Sequence, residues 1–153
     1  MNPQTIIFFG PVGSGKGTQI ELLEKYFKSE LDKPIINITT GNIFRSFIKE
    51  DSFVSKKVSD LMKNGSLIPS FLTNWIAVNY IVSNYNGENI FFDGYPRKIE
   101  QSKVLNKLLD FYGINKRIIV LLEVNNEETM KRMQLRGRHD DTPDAIAKRF
   151  EVY

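Results

Sequence analysis

The stretch Gly10-Pro-Val-Gly-Ser-Gly-Lys-Gly-Thr18 decides how the rest of the chain is interpreted. It follows the apolar run Thr5-Ile-Ile-Phe-Phe9, which has the composition of a buried strand. It precedes Ile20, Leu23 and Phe27, which are spaced three and four apart, as on one face of a helix. A glycine-rich segment between a strand and a helix is the context of a phosphate-binding loop. A ligand-free glycine turn would not explain the strand, the helix and the lysine together.

The chemistry of this loop follows from its residue types. Glycine has no Cβ, so the backbone can curl and turn successive N–H groups inward. Those donors and the positive end of the following helix form an anion site. Lys16 adds a mobile positive charge. The general pattern has Ser or Thr directly after the lysine, whereas here Gly17 intervenes before Thr18.

The composition of the chain favours a single globular domain. Its 153 residues can bury a real core, and its net charge of +3 comes from basic residues spread along the chain. This spread does not favour a nucleic-acid partner. The chain has no cysteine, which excludes disulfides and thiolate metal sites. The N-terminus does not resemble a signal peptide and no apolar stretch approaches a membrane span, so we expect a cytoplasmic enzyme without a membrane partner.

Strands and helices are expected to alternate along the chain. Apolar runs predict strands near residues 5–9, 34–38, 89–92 and 117–123, with helical patterns between and after them. This order favours an α/β fold with three layers, α/β/α, around a parallel sheet. The continuous apolar run of the fourth strand suits a strand that is covered on both faces. We also expect Trp75 to lie in the core and Asn42 to cap a helix.

Two short helices are expected between the second strand and the helix that begins at Pro69-Ser70. They carry few large apolar residues, which suggests a semi-independent flap over residues 40–69. The domain hypothesis is therefore a core of residues 1–39 and 70–153 with this flap inserted.

Arginines follow several of the predicted strands and helices. A guanidinium can grip two phosphate oxygens at once, and ligands of open α/β sheets bind beyond the carboxyl ends of the strands. The candidate phosphate ligands are Arg45, Arg97, Arg136, Arg138 and Arg149. Asp93 ends the third strand, where a carboxylate commonly holds Mg²⁺ directly or through water. His139, the only histidine, is interpreted as a plain loop residue.

Five motifs in order resemble those of the adenylate kinases. They are Gly10 to Gln19, Thr40-Gly-Asn-Ile-Phe-Arg45, Gly65-Ser-Leu-Ile-Pro69, Phe92-Asp-Gly-Tyr-Pro-Arg97 with Gln101, and Arg136-Gly-Arg-His-Asp-Asp141 with Arg149. The Gly-Lys-Gly-Thr variant of the loop is typical of this family. The resemblance implies a monomeric kinase that transfers the γ-phosphate of ATP, with Mg²⁺, reversibly to AMP and yields two ADP.

The resemblance also implies roles for individual residues. The ATP site would comprise Gly13, Ser14, Gly15, Lys16, Gly17, Thr18, Arg132 and Arg136. The AMP site would comprise Thr40, Arg45, Ser66, Leu67, Ile68, Gly94, Tyr95, Pro96, Arg97, Gln101, Arg138 and Arg149. Lys16, Arg97, Arg136, Arg138 and Arg149 would be catalytic, and Asp93 would hold Mg²⁺ through water. Gln101 would read the adenine edge, since relatives that act on UMP and CMP usually carry Asn there.

Three departures from the family pattern bear on these expectations. Asn42 replaces the usual Asp, and only one glycine separates Arg136 from Arg138, so the lid over residues 137–141 would be very short. The family continues beyond the length of this chain with a fifth strand, an adenine loop and a final helix. We therefore expect an open sheet edge beside the fourth or the first strand. The alternatives are a nucleotide-binding module with little turnover, a kinase of UMP or CMP, or a small-molecule kinase that shares only the phosphate loop.

Overall fold

Four parallel strands form one sheet at the centre of the computed structural model, which describes residues 3–30, 34–136 and 142–151. The strands are β1 (Gln4–Phe9), β2 (Ile35–Thr39), β3 (Asn89–Asp93) and β4 (Lys116–Leu121), in the spatial order β2-β3-β1-β4. All three pairings are parallel, which confirms the predicted α/β fold. Because the strands are parallel, their carboxyl ends lie along the same edge of the sheet.

Seven helices connect and follow the strands in the described part of the chain. They are α1 (Lys16–Glu30), α2 (Thr40–Phe47), α3 (Phe53–Lys63), α4 (Ser70–Asn84), α5 (Ile99–Phe111), α6 (Asn126–Arg136) and α7 (Pro143–Glu151). Local sequence features mark several of the helix ends. Gly65 and Gly113 have positive φ angles just past α3 and α5, and the Thr142 hydroxyl accepts a hydrogen bond from the Ala145 N–H in the first turn of α7.

The two faces of the sheet carry different helices. One face packs on α1 through a cluster that includes Phe8, Phe27 and Phe91, whose rings meet edge to face. The other face packs on α4 and α5, with Ile81 and Leu109 fully buried against the sheet. The helix after β1 and the helix after β3 thus cover opposite faces. This arrangement opens a crevice at the carboxyl ends of these two neighbouring strands.

The fourth strand corrects one sequence prediction. Among the described strands, β4 pairs only with β1 and forms an edge of the sheet. Ile118, Val120 and Leu122 pack toward the α1 face, but Ile119 and Leu121 are 67% and 59% exposed. The expectation that this run is covered on both faces was therefore wrong, because in the described chain no helix lies over its second face. The expected open edge lies beside β4, while β1 is central.

A third apolar cluster joins α2 and α3 to the first half of α4. Phe44, Val58, Leu72 and Ile76 are its buried members. Trp75 was expected in the core, but its side chain is 51% exposed, and its ring meets that of Phe47 edge to face. The helical period explains the difference, since Leu72 and Ile76 take the inward face of α4 and leave Trp75 on its flank.

Asn42 does not cap a helix, contrary to the prediction. α2 begins at Thr40, directly after β2, with Thr39 at the N-cap position. Asn42 thus lies inside the first turn, and its side chain is available for a different contact, described below.

None of the helices in the described ranges combines the length and the apolar character needed to cross a membrane.

Candidate functional site

One cavity of about 1150 Å³ opens at the carboxyl ends of the strands. Typical pockets for one small molecule measure about 300–1,000 Å³, so this cavity has room for more than a single small ligand. Its walls come from the segments after β1, β2 and β3 and from α6 and α7. Strand register brings these segments together, because Asp93 lies beside both Phe8 and Thr39 in the sheet.

The loop after β1 is built so that backbone packs directly on backbone. Gly10 has φ +144°, and a Cβ there would lie 2.6 Å from the carbonyl oxygen of Leu122. Gly13 has φ +87°, and a Cβ there would lie 2.8 Å from the carbonyl oxygen of Thr129. These two positions therefore need glycine both for their conformation and for the close approach of β4 and α6. Gly17 is different, since it lies within α1 and nothing lies within 4 Å of its Cβ position.

Lys16 is the first residue of α1, and its side chain is buried under the loop. Its Nζ donates to the carbonyl oxygens of Gly10, at 2.7 Å, and Pro11, at 2.9 Å. Burial lowers the pKa of the Lys16 ammonium. Asp93 opposes this effect on the pKa, while Arg97 and Arg136 add to it. Because the buried ammonium is poorly solvated, an incoming phosphate would stabilise its charge strongly.

Arg132 lies beside the same loop and is held by its own helix. Its Nε donates to Glu128 Oε1 at 2.8 Å, and its Nη1 lies 3.8 Å from the position of a Cβ on Gly15. At the start of α6, Asn125 and Glu128 have the spacing of a capping box. Asn125 Oδ1 does accept from the Glu128 N–H at 2.8 Å, but the Glu128 carboxylate turns to Arg132. The guanidinium is thereby directed at the mouth of the loop.

A second group of polar atoms converges on Gly94, just after β3. The Thr40 hydroxyl donates to the carbonyl oxygens of Asp93, at 3.4 Å, and Gly94, at 3.1 Å. A Cβ on Gly94, whose φ is +79°, would lie 3.0 Å from Thr40 Oγ1 and 3.3 Å from Arg97 Nη2. The start of α2 and the Arg97 guanidinium thus meet across this glycine, on the opposite side of Asp93 from the loop.

Arg45 lies over Gly41, near this second group. Its Nη2 donates to Asn42 Oδ1 at 2.6 Å and lies 3.4 Å from the Cβ position of Gly41. The side chain of Asn42 therefore fixes a guanidinium where a helix cap was expected.

Gln101 lines the cavity near the start of α5, and its amide is bonded at both ends. Oε1 accepts from the Arg97 backbone N–H at 2.7 Å, and Nε2 donates to Ser70 Oγ at 3.3 Å. Tyr95 supports this corner from the core, because its hydroxyl donates to Asn74 Oδ1 at 2.9 Å and to the Gln101 carbonyl at 3.3 Å. Burial raises the pKa of Tyr95 to about 12.

The last described helix, α7, closes the cavity against the end of α3. Arg149 Nη2 donates to the Met62 carbonyl oxygen at 3.4 Å. Gly65 packs on the backbone of Ala145, since a Cβ on Gly65 would lie 2.5 Å from the Ala145 carbonyl oxygen. This contact joins the segment after α3 to α7.

Most of the predicted site residues line this one cavity. The lining includes Gly13, Ser14, Gly15, Lys16, Gly17, Thr18, Thr40, Arg45, Ser66, Leu67, Ile68, Asp93, Gly94, Pro96, Arg97, Gln101, Arg132, Arg136 and Arg149. Tyr95 is an exception, because its ring is buried in the core and only its hydroxyl supports the site. Arg138, His139 and residues 137–141, where a short lid was expected, lie outside the described residues.

Sequence reasoning missed three residues that contribute to the site. Asn37 lines the cavity from β2, and its signal was a polar side chain inside the otherwise apolar run Ile35–Ile38. Glu128 acts on Arg132, and its signal was the spacing of four residues on one helix. Ser70 contacts Gln101 across 31 residues of sequence, which no local pattern indicates.

Asp93 is the candidate ligand for a metal. It is half-buried at the end of β3, and no group of three or more His, Cys, Asp or Glu that could hold a metal occurs in the described part of the chain. A single hard oxygen donor suits Mg²⁺, which keeps several waters and is usually bound by one or two carboxylates together with substrate phosphates. The residues present therefore fit an ion that arrives with a polyphosphate.

The matching family model and the relatives named here share one description. The family model "Adenylate kinase" matches residues 8–153. The adenylate kinase of Parabacteroides distasonis is 34% identical over 152 residues, which cover 97% of this chain and 77% of that protein. Those of Mycobacterium tuberculosis (strain H37Rv) and Mycobacterium leprae (strain TN) are 34% and 31% identical, each over 97% of this chain and 78% of the relative.

Proposed function

We propose that one half of the cavity binds the donor ATP and the other half binds the acceptor AMP. This chain belongs to the adenylate kinase family, whose members transfer the γ-phosphate of ATP reversibly to AMP and yield two ADP. The proposal rests mainly on one observation. Two separate sets of residues that can bind phosphate line the same cavity, on either side of Asp93. One set is the glycine loop with Lys16, and the other is the cluster of Thr40, Arg45 and Arg97.

The donor half is the loop of residues 10–18 together with α6. The backbone N–H groups of the loop and the N-terminus of α1 would bind the ATP phosphates. Lys16 would leave the carbonyls of Gly10 and Pro11 and follow the transferring group. Arg132, directed by Glu128 at the mouth of the loop, would stack on the adenine of ATP.

The acceptor half is formed by the flap and the segment after β3. Arg97 and Arg45 would grip the phosphate of AMP, since a guanidinium can bind two oxygens of one phosphate. Thr40 and the backbone of residues 66–68 would line the nucleoside. Gln101 would read the adenine edge with the hydrogen-bonding capacity that its two protein contacts leave over.

Phosphoryl transfer itself needs little covalent help from the protein. It needs two phosphates in line and positive charge where the transition state carries negative charge. Arg136 and Arg149 also line the cavity and would supply that charge, together with Lys16. Arg138 keeps the role implied by resemblance, as a prediction. Mg²⁺ bound to the ATP phosphates would neutralise charge, and Asp93 would orient its waters.

The organisation around this site remains a set of predictions. Residues 40–69 would form the movable AMP flap on a core of residues 1–39 and 70–153. Closure of the flap would exclude water so that the phosphate passes to AMP. We also predict a cytoplasmic monomer with no nucleic-acid partner.

A coupled assay of ADP formation tests the proposal. The protein is supplied with Mg·ATP and with AMP, UMP, CMP or GMP in turn, and kcat/KM is compared among the four. We expect AMP to be preferred. Preference for UMP or CMP would overturn the role given to Gln101. Binding of ATP and AMP without ADP formation would instead indicate a nucleotide-binding module that does not turn over.

A further inference from the structure

The amide of Gln101 is fixed at both ends although it borders an open cavity. The side chain is only 3% exposed. Oε1 accepts from the Arg97 N–H at 2.7 Å, in the segment after β3. Nε2 donates to the hydroxyl of Ser70 at 3.3 Å, at the first residue of α4. Two different elements of the fold therefore hold one planar group.

These two contacts use half of what the amide can do. A glutamine oxygen has two lone pairs and its nitrogen has two hydrogens. Within the described chain, the side chain of Gln101 makes these two hydrogen bonds and no others. One acceptor valence and one donor valence remain for a ligand in the cavity.

Nucleobases fall into two classes with respect to such a group. Adenine and cytosine carry an amino donor beside an unprotonated ring nitrogen, whereas guanine and uracil carry a carbonyl acceptor beside a ring N–H. A free amide could serve both classes, because its terminal torsion is soft and the group can turn over. A turned amide would point its NH₂ at the N–H of Arg97, which is a donor, so that contact opposes the turned form.

We propose that Ser70 is a positioning residue for Gln101. It locks the Gln101 amide toward bases that present an amino donor beside an unprotonated ring nitrogen and against bases that present a carbonyl beside a ring N–H. This inference rests on the proposed function, since it requires the base of a nucleoside monophosphate to contact Gln101. The Arg97 N–H sets the sense of the amide, and the Ser70 hydroxyl holds its far end. Without Ser70, the amide would keep only the hydrogen bond from the Arg97 N–H and could rotate about it. The difference in affinity between the two classes of base would then be smaller.

The location of Ser70 adds to the argument. Ser70 directly follows the flap segment 40–69, and α4 packs on α5, which carries Gln101. The hydrogen bond therefore links the end of the flap to the side chain that faces the base. Ser70 does not itself line the cavity, so it acts through Gln101.

Replacement of one hydroxyl tests this inference. Ser70→Ala is compared with Ser70→Thr, which keeps the hydroxyl, and with Ser83→Ala, which removes an exposed hydroxyl from the same helix. Dissociation constants of AMP and UMP are measured calorimetrically with each monophosphate alone, and kcat/KM is measured for both. We expect Ser70→Ala to reduce the preference for AMP over UMP by about three- to tenfold, the value of one hydrogen bond. The KM for ATP should not change, and the other two variants should behave as the original protein.

The outcomes separate this inference from the proposed function. An unchanged AMP-to-UMP ratio in Ser70→Ala, or an equal loss for both monophosphates, would overturn the role of Ser70. Absence of AMP binding to the unaltered protein would overturn it as well. If the protein binds AMP but forms no ADP, the proposed function fails, while the ratio of dissociation constants still decides the role of Ser70.

Discussion

In the proposed reaction, the loop of residues 10–18 and the cluster of Thr40, Arg45 and Arg97 both bind phosphate groups, yet they are built in different ways. The loop is one continuous segment whose shape depends on backbone packing, with Gly10 and Gly13 against the carbonyls of Leu122 and Thr129. The cluster is assembled from separate segments, which are joined by side-chain hydrogen bonds such as that from the Thr40 hydroxyl to the Gly94 carbonyl oxygen. A site that depends on close backbone packing tolerates few substitutions, whereas the affinity and specificity of a site made of side chains can change with single substitutions.

Loss of Lys16 should give the largest effect and break the donor side. Lys16→Ala removes the buried charge that we propose to act on the ATP phosphates, and we expect kcat to fall by at least ~10²-fold. The coupled ADP assay measures this, and Lys25→Ala, an exposed lysine on the same helix, is the control. The fold should survive, as checked by circular dichroism. Near-normal turnover would contradict the role of Lys16.

Loss of Arg97 should break the acceptor side. Arg97→Ala removes a guanidinium that lies over Gly94, and we expect kcat/KM for AMP to fall by at least ~10²-fold. The dissociation constant of ATP, measured without AMP, should stay nearly unchanged because the loop is not touched. Lys103→Ala on α5 is a matched charge control. If ATP binding weakened as much as AMP use, the division of the cavity into two halves would be wrong.

Gly65 and Gly113 form a matched pair that tests the contact between the flap and α7. Both glycines follow a helix with nearly equal φ angles, +65° and +68°, but only Gly65 packs on backbone, at Ala145. Gly113→Ala should lower the free energy of unfolding by about 1 kcal/mol, the cost of a left-handed residue. Gly65→Ala should cost roughly 2–4 kcal/mol, because the contact with Ala145 must also open.

Chemical denaturation measures both free energies of unfolding. An equal decrease in the free energy of unfolding of the two variants would mean that α7 does not pack on Gly65 in solution. A larger KM for AMP in Gly65→Ala, with the KM for ATP unchanged, would sharpen the comparison by assigning this contact to the acceptor side.

The pH dependence of ATP binding should give the smallest effect. Burial lowers the pKa of Lys16, and a bound phosphate would raise it again. ATP affinity should therefore be constant below the lowered pKa of the free protein and should weaken as pH rises through it. This alkaline decline should begin at lower pH than the ordinary lysine pKa of 10.5.

Lys16→Arg is the comparison for this experiment. Arginine stays protonated over the whole range, so its ATP affinity, although weaker in absolute terms, should not decline between pH 7 and pH 10. Calorimetric titrations at several pH values measure both proteins. An identical alkaline decline in the two would assign the effect to another group.

The elements of the fold were largely predictable because each has a local cause. Apolar runs of the strand length and glycines beyond the helix ends place β1, β3, α3 and α5 within a few residues of the structure. The wrong predictions concerned which side chains are buried. Nothing local distinguishes Trp75 from a core residue, and nothing in the run Ile118–Leu121 tells that the strand lies at an edge.

The sequence by itself determined the donor loop, because its glycines, its lysine and the flanking strand and helix are consecutive, and their chemistry acts over a few residues. Only the tertiary structure decided how the acceptor side is put together. Parallel pairing brings the ends of β2 and β3 side by side, and α4 packing on α5 brings Ser70 to Gln101. Such contacts depend on which elements become neighbours, and that choice is made by burial of the whole chain and not by any segment of it.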